Sequence, residues 1–257
     1  MKEIVMDLMA EQQALDDFLC TLQDTQWELE TPAEGWTVKD SVSHIAHIDE
    51  VAVSLLRGNN TPLDEAAKIG LSYNDVGPQR GRSMNSSQVL DWWRNMRGIM
   101  DQQLMKIDPK ARIPWFALPM GARAFATARL METWAHGLDC YDAIGSKPVD
   151  TDRLRHVATI AFMAMPYSYS VNNVVMPTIP IRIELTLPSG ATWNRGAEEA
   201  SNIIQGTASD FCRVAVRRRH WKDTKLQVKG DEAGRFIEIV QTYAGPPGSG
   251  RKPKGIC

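Results

Sequence analysis

The chain has 257 residues and a mass of 28.7 kDa, which sets one or two domains as the starting expectation. With 43% hydrophobic and 23% charged residues it is too apolar for intrinsic disorder. A formal charge of -2 supplies no global field for gripping a phosphate polymer or an anionic membrane, so neither nucleic acid nor membrane is an expected partner.

Ile4, Val5, Leu8, Met9, Leu15, Phe18, Leu19 and Leu22 recur at three- and four-residue intervals, the pattern of an amphipathic helix of about 20 residues. Acids inside its first turns exclude a secretory leader. After the breaker stretch Thr31-Pro32-Ala33-Glu34-Gly35, Thr37 stands three residues before Asp40 as a capping-box variant. A second helix is predicted from there to Arg57, stopped by Gly58-Asn59-Asn60. Residues 61–85 are polar and Gly-containing, with a short helix over Leu63–Lys68. Ser86 or Ser87 is expected to cap a third helix, Gln88 to Lys106. A Pro-punctuated loop (113–121) leads to a fourth, Ala122 to Ile144, with Gly145 as its C-cap. Four long helices without a strand pattern describe a helix bundle over residues 1–147.

The pattern changes after Lys147-Pro148. One helix (Asp152–Met165) precedes the alternating run Ile179–Leu187, which reads as a strand before the turn Pro188-Ser189-Gly190. Ala191–Trp193 and Ile203–Gly206 are further strands. Thr207 or Ser209 caps a helix through Val216, Leu226–Val228 is a last strand, and Ala233–Tyr243 a closing helix. The tail from Gly245 to Lys254 is expected to be mobile. The predicted class is thus α plus α/β, with an α/β domain over 148–257. The longest apolar stretch, around Val157–Met165, is too short to span a bilayer. The four cysteines, at 20, 140, 212 and 257, form no CxxC and no dense framework. That usage fits free thiols in a reducing cytoplasm.

Five histidines are present, at 44, 47, 136, 156 and 220. Helix four contains Glu132-Thr-Trp-Ala-His136, a carboxylate and an imidazole one turn apart on one face. Helix two contains His44-Ile-Ala-His47, with His44 in an apolar row with Val51 and Leu55. Two neutral imidazoles and one carboxylate from facing helices make a three-donor set with coordination positions left open. That is the composition of a catalytic site for a divalent metal, with zinc the default and nickel, iron or manganese as alternatives. Read alone, either motif also describes a solvated pair on a helix surface.

A resemblance adds to this reading. Glu34-Gly35-Trp36-Thr37-Val38-Lys39-Asp40-Ser41-Val42-Ser43-His44, with His eight residues after Trp, resembles the opening signature of the DinB-like family, and within it the mycothiol-dependent maleylpyruvate isomerase branch. Glu132-Thr-Trp-Ala-His136-Gly-Leu-Asp139 matches the branch's Glu-x-x-x-His-x-x-Asp segment. The resemblance implies a DinB-like four-helix bundle in which His44, Glu132 and His136 bind metal, and it leaves His47 outside the ligand set. Ile204–Arg219 followed by Val228-Lys-Gly-Asp231 is similar to the branch's sterol-carrier-like C-terminal domain. The Gly245-Pro-Pro-Gly248 tail points to an actinobacterial metal-binding subgroup.

What the branch implies is a divalent ion that binds the low-molecular-weight thiol mycothiol. The thiolate then serves S-transfer, thiol exchange or thiol-assisted isomerisation of a small organic acid or a natural-product intermediate. Relatives in antibiotic assembly swap thiols on a lincosamide-like sugar. Asp139 would orient the His136 imidazole or, alternatively, form a helix-end salt bridge. His47 is either a general base or a half-exposed helix residue, and Cys140 is expected as a spectator thiol. Arg217, Arg218 and Arg219 form the main basic run: a solvated helix end, or contacts to a thiol or carboxylate held at the metal. Trp134 would wall a pocket or fill the core. The expected partners are a small thiol and a small substrate, with a homo-oligomer as an option. Rival readings are a hydrolase that activates water and a non-catalytic ligand carrier with a structural metal.

Overall fold

The computed structural model describes residues 1–116, 118–248 and 250–255. They divide into two compact units, Met1–Pro148 and Val149–Cys257. Among the described residues no helix is long and apolar enough to cross a membrane.

The first unit is helical. Its helices are α1 (Lys2–Leu19), α2 (Asp24–Trp27), α3 (Val38–Leu56), α4 (Thr61–Ile69), α5 (Val76–Arg82), α6 (Ser86–Lys106) and α7 (Ala122–Ile144). A 3-10 turn, Gly70–Asp75, joins α4 to α5, and a two-residue hairpin, β1 (Arg112–Ile113) with β2 (Met120–Gly121), precedes α7. The long helices α1, α3, α6 and α7 pack on one another, with α3 against both α6 and α7. Between α1, α3, α6 and α7 lies an apolar cluster that includes Leu15, Leu19, Val42, Ile45, Trp93 and Cys140.

Local chemistry sets the helix ends. Thr37 Oγ1 accepts from the Asp40 amide at 3.2 Å and the Asp40 carboxylate accepts from the Thr37 amide at 3.0 Å, a reciprocal cap that starts α3. Gly145 closes α7 at φ +75, the left-handed position a side chain resists. The cap of α6 differs from expectation. Asn85, not Ser86 or Ser87, accepts from the Gln88 amide at 2.8 Å, and Gln88 bonds back to the Asn85 amide. Asn85 supplies the same side-chain acceptor one residue earlier, so the helix gains two residues at its start. The first helix stops at Leu19 rather than running on to Leu22.

The second unit carries a four-stranded sheet in the order β4-β3-β5-β6, built from β3 (Ile181–Thr186), β4 (Thr192–Arg195), β5 (Asn202–Thr207) and β6 (Gln227–Lys229). β3 runs parallel to β5, and the remaining pairs are antiparallel. Ile181, Ile183 and Leu185 turn inward, while Arg182, Glu184 and Thr186 line the other face. Helices α10 (Ala208–Ala215) and α11 (Asp231–Ile239) pack on the sheet, and α8 (Leu154–Met163) and α9 (Met165–Val171) pack on them in turn. The single helix expected over 152–165 is therefore two, broken at Ala164 ahead of Pro166, whose missing amide and fixed φ favour the start of a new helix. The tail is not a free end in its described residues. Gly245 exchanges hydrogen bonds with the Tyr167 hydroxyl, the Gly248 carbonyl accepts from Arg217 at 2.9 Å, and the Lys254 amide donates to Asp223.

Candidate metal centre

Helices α3 and α7 face one another and bring three donors together. One donor atom from each of His44, Glu132 and His136 lies within 4.8 Å of the other two. His44 and His136 are buried, with ring centroids 4.8 Å apart, and Glu132 is half-buried. Glu132 Oε2 stands 3.4 Å from His136 Nε2, the one-turn spacing of the ExxxH segment. Ligand bonds near 2.0–2.2 Å ask donors to converge within a few ångströms of a common point, so this set fits a divalent ion.

The electrostatics suit ligands. His44 is pushed down to about 3, first by burial and then by the neighbouring His136, so its imidazole is neutral at physiological pH. Burial alone would raise Glu132. The His136 hydrogen bond and the positive groups around it outweigh that and hold the carboxyl well below its ordinary range. Neutral imidazole and ionised carboxylate are the forms that bind metal. His44 Nδ1 lies 3.1 Å from the Asn74 carbonyl. A carbonyl only accepts, so Nδ1 carries the proton and the Nε2 lone pair is left for an ion.

Trp36 covers the donors. Its ring is 4.9 Å from that of His44 and 5.9 Å from that of His136, and its indole N–H donates to Asp75 at 3.1 Å.

The other expected residues fall in different places. Asp139 is buried one turn past His136, its Oδ2 3.8 Å from His136 Nδ1, longer than a direct hydrogen bond. His47 is half-buried against the Tyr73 ring, 5.3 Å away, and outside the donor group. Burial lowers its pKa. Trp134 is buried two positions from each α7 donor, about 200° around the helix from both. Cys140 lies in the apolar cluster under α1, α3 and α6, and burial pushes its thiol far up.

The basic run belongs to the second unit. Arg217, at φ +62, donates to the carbonyls of Glu238 and Gly248. Arg218 donates to the Val216 carbonyl, and Arg219 stands 3.6 Å from Asp210. Arg217, Arg219, His220 and Trp221 line a small cavity of about 80 Å³ with Glu238.

Sequence reasoning passed over the residues that surround the donors. Asn74 acts through its backbone and so leaves no side-chain signal. Asp75, Gly77 and Gly81 lie in a stretch with no apolar period. Asp49 was legible as an acid on the inward side of α3, five residues after His44, and Arg129 as a base one turn before Glu132.

Facing helices that converge two imidazoles and a carboxylate define a helical protein with a candidate divalent-metal centre. Comparison with known proteins places it further. Residues 8–141 match the family described as the mycothiol maleylpyruvate isomerase N-terminal domain. The chain is 36% identical over 250 residues to uncharacterised proteins of Mycobacterium tuberculosis strains CDC 1551 / Oshkosh and ATCC 25618 / H37Rv, over 96% of this chain and 97% of each relative. Its fold is similar to the crystal structure of the mycothiol-dependent maleylpyruvate isomerase, with a TM-score of 0.57 and 14% identity over 84% of this chain and 89% of that one. A histidine-to-alanine mutant of that enzyme gives the same TM-score at 13% identity. The chain belongs to the mycothiol maleylpyruvate isomerase family, the DinB-like branch that the Trp36–His44 and Glu132–Asp139 segments resemble.

Proposed function

We propose that this protein is a cytoplasmic metal-dependent enzyme that uses mycothiol for S-transfer, thiol exchange or thiol-assisted isomerisation. Its substrate class is a small organic acid or a natural-product intermediate such as a lincosamide-like sugar. The observation that carries the reading is the convergence of His44, Glu132 and His136 within 4.8 Å in a chain of this family. Zinc is the first candidate for the ion. When bound, a divalent ion lowers the pKa of a coordinated thiol so that a thiolate exists at neutral pH.

The chain's own residues support that role. Three protein donors leave a position open for an incoming ligand, as catalytic sites do and structural sites do not. His44 presents Nε2 because Asn74 holds its Nδ1 proton. Trp36 shields the donor rings on one side and so limits water there. Cys140 and Cys212 are buried thiols with pKa values pushed up by desolvation, so neither offers a thiolate. The reacting sulfur is proposed to arrive with the small thiol. Asp139 and His47 are the side chains proposed to act on the thiol or substrate, and the second unit is proposed to be sterol-carrier-like.

The test is metal analysis with thermal-shift measurements on the wild type and His136→Ala, each with mycothiol, with glutathione and without thiol. The expected result is stoichiometric metal in the wild type, a rise in Tm with mycothiol, and loss of both in the variant. A wild type that retains no metal after purification and zinc loading overturns the site. Stoichiometric metal with no response to either thiol turns the reading toward a hydrolase that activates water.

A further inference from the structure

Residues 70–82 lie beside the donor helix and touch it at several separate points. The Asn74 carbonyl takes the Nδ1 proton of His44 at 3.1 Å. Asp75 Oδ1 accepts the indole proton of Trp36 at 3.1 Å, and that indole lies against both donor imidazoles. Tyr73 is buried with its ring 5.3 Å from His47. Helix α5 packs against α3 through glycines: a Cβ at Gly77 would sit 2.7 Å from both His47 Cβ and the Ser43 carbonyl and 3.1 Å from His44 Cα. A Cβ at Gly81 would overlap the Ser43 hydroxyl. Neither glycine has a positive φ, so close approach, not backbone conformation, is what excludes a side chain there.

We propose that residues 73–81 are a clasp that positions the metal donors. Seated through Gly77 and Gly81, the segment brings the Asn74 carbonyl to His44 and Asp75 to Trp36. It thereby selects the Nδ1–H tautomer of His44 and fixes the indole over His44 and His136. The inference rests on the metal reading above, since a selected tautomer matters when Nε2 is a ligand. Partners that hold the far nitrogen of a ligating histidine typically change metal affinity 10- to 100-fold when they are removed. These residues touch no substrate in this scheme. They are positioning residues.

The experiment uses the full chain labelled with 15N-histidine. Long-range proton–nitrogen spectra of the metal-free protein report the His44 tautomer, and chelator competition reports zinc affinity. The wild type is expected to show His44 as the Nδ1–H form. Gly77→Ala is expected to give a mixture of tautomers and a zinc affinity about 10- to 100-fold weaker, with circular dichroism retained. Gly98→Ala, where an added Cβ meets nothing within 4 Å, should match the wild type in both readouts. Asp75→Ala should red-shift Trp36 emission and weaken zinc, while Asp75→Asn, which keeps an acceptor oxygen, should restore both. If Gly77→Ala fails to fold, the Asp75 pair decides.

Folded Gly77→Ala and Asp75→Ala variants with an unchanged His44 tautomer and zinc affinity within about twofold of the wild type would overturn the clasp. A wild type that binds no zinc overturns the metal reading instead, and the tautomer comparison still judges the clasp.

Discussion

Asp49 and Arg129 form an ion pair sealed from water, their side chains 0% and 1% exposed. Arg129 Nε donates to Asp49 Oδ1 at 3.0 Å, Nη2 lies 2.9 Å from the same oxygen, and the Trp93 indole donates to Asp49 Oδ2 at 3.1 Å. Asp49 stands on α3 beyond His44, and Arg129 on α7 before Glu132. The pair therefore bolts together the two helices that carry the donors, about one turn from the donors themselves. A buried pair gains little over an apolar substitute, because desolvation offsets its attraction. Its consequence is register: a slip of α3 along α7 would strand two charges in the core, so the spacing of His44 from Glu132 is held.

Breaking the pair on one side should be costly. Arg129→Met leaves the Asp49 carboxylate buried with only the Trp93 bond, and a loss of about 3–5 kcal/mol in unfolding free energy is expected. The double variant Asp49→Leu/Arg129→Met removes both charges and should recover most of that loss. Urea unfolding of the three proteins measures it. A single variant within about 1 kcal/mol of the wild type, the worth of an exposed pair, would show that water reaches the site.

A second acid near this pair should give stability an unusual pH dependence. Asp101 on α6 is buried, and burial, with the Asp49 charge next in weight, pushes it up to about 7. Its folded pKa thus lies above its unfolded value of 3.8. Below pH 4 both states hold the proton. Between about pH 4 and 7 the unfolded chain loses it and the folded chain keeps it, so this group's contribution falls as pH rises and levels off above 7. Buried His44 and half-buried His47, both lowered from 6.5, act in the opposite sense over part of that window. The difference between wild type and Asp101→Asn isolates the effect. The variant, whose amide oxygen can still accept from Gln12, should gain on the order of a few kcal/mol over the wild type at pH 8 and nothing near pH 4. Equal gains at both pH values would place the ionised Asp101 in a hydrated setting.

The parts of this molecule that repeat with a period were readable from its residues, and the parts that act through the backbone were not. The apolar spacing of α3, α6 and α7, the Thr37 cap and the Gly145 stop locate those helices within a few residues, because each is a local signal. His44, Glu132 and His136 stood out because a buried carboxylate or imidazole on an inward face needs a partner, and the resemblance of the Trp36–His44 and Glu132–Asp139 segments to the family marked them as ligands. The segment 70–82 has no such marks. Its 3-10 turn is ordered by the Asp75 bond to Trp36 and by the fit of Gly77 and Gly81 on α3, contacts between residues some 40 positions apart. The contacts of the tail were equally hidden: its Gly and Pro content carries no sign of the bonds that Tyr167, Arg217 and Asp223 make to its backbone groups.

Cys140 offers a direct check on where the reactive sulfur comes from. It follows His136 by one turn, yet its side chain packs with Leu15, Leu19 and Trp93 in the apolar cluster. Cys140→Ala should cost about 1 kcal/mol as an ordinary core truncation and leave metal content and mycothiol response unchanged. Loss of metal from a folded variant would make the thiol a fourth ligand.

The capping box at the head of α3 should matter for both stability and the donors. Asp40 accepts from the Thr37 amide and hydroxyl, and Arg82 Nε donates to its other oxygen at 3.0 Å. Asp40→Ala removes the reciprocal half of the cap and the Arg82 partner together. The cap alone is worth about 1 kcal/mol, and the tie to the exposed Arg82 guanidinium adds little to it. Trp36 immediately precedes the capping residue, so fraying of the first turn should also loosen the indole from His44 and His136. Asp40→Asn, which can still accept from the Thr37 amide, separates these effects: it should keep the cap and the Trp36 emission while weakening only the tie to Arg82. Denaturation curves, and Trp36 emission taken as the difference between each variant with and without Trp36→Phe, measure the two losses. If Asp40→Ala and Asp40→Asn behave alike, the Arg82 contact and not the cap is what orders the start of the donor helix.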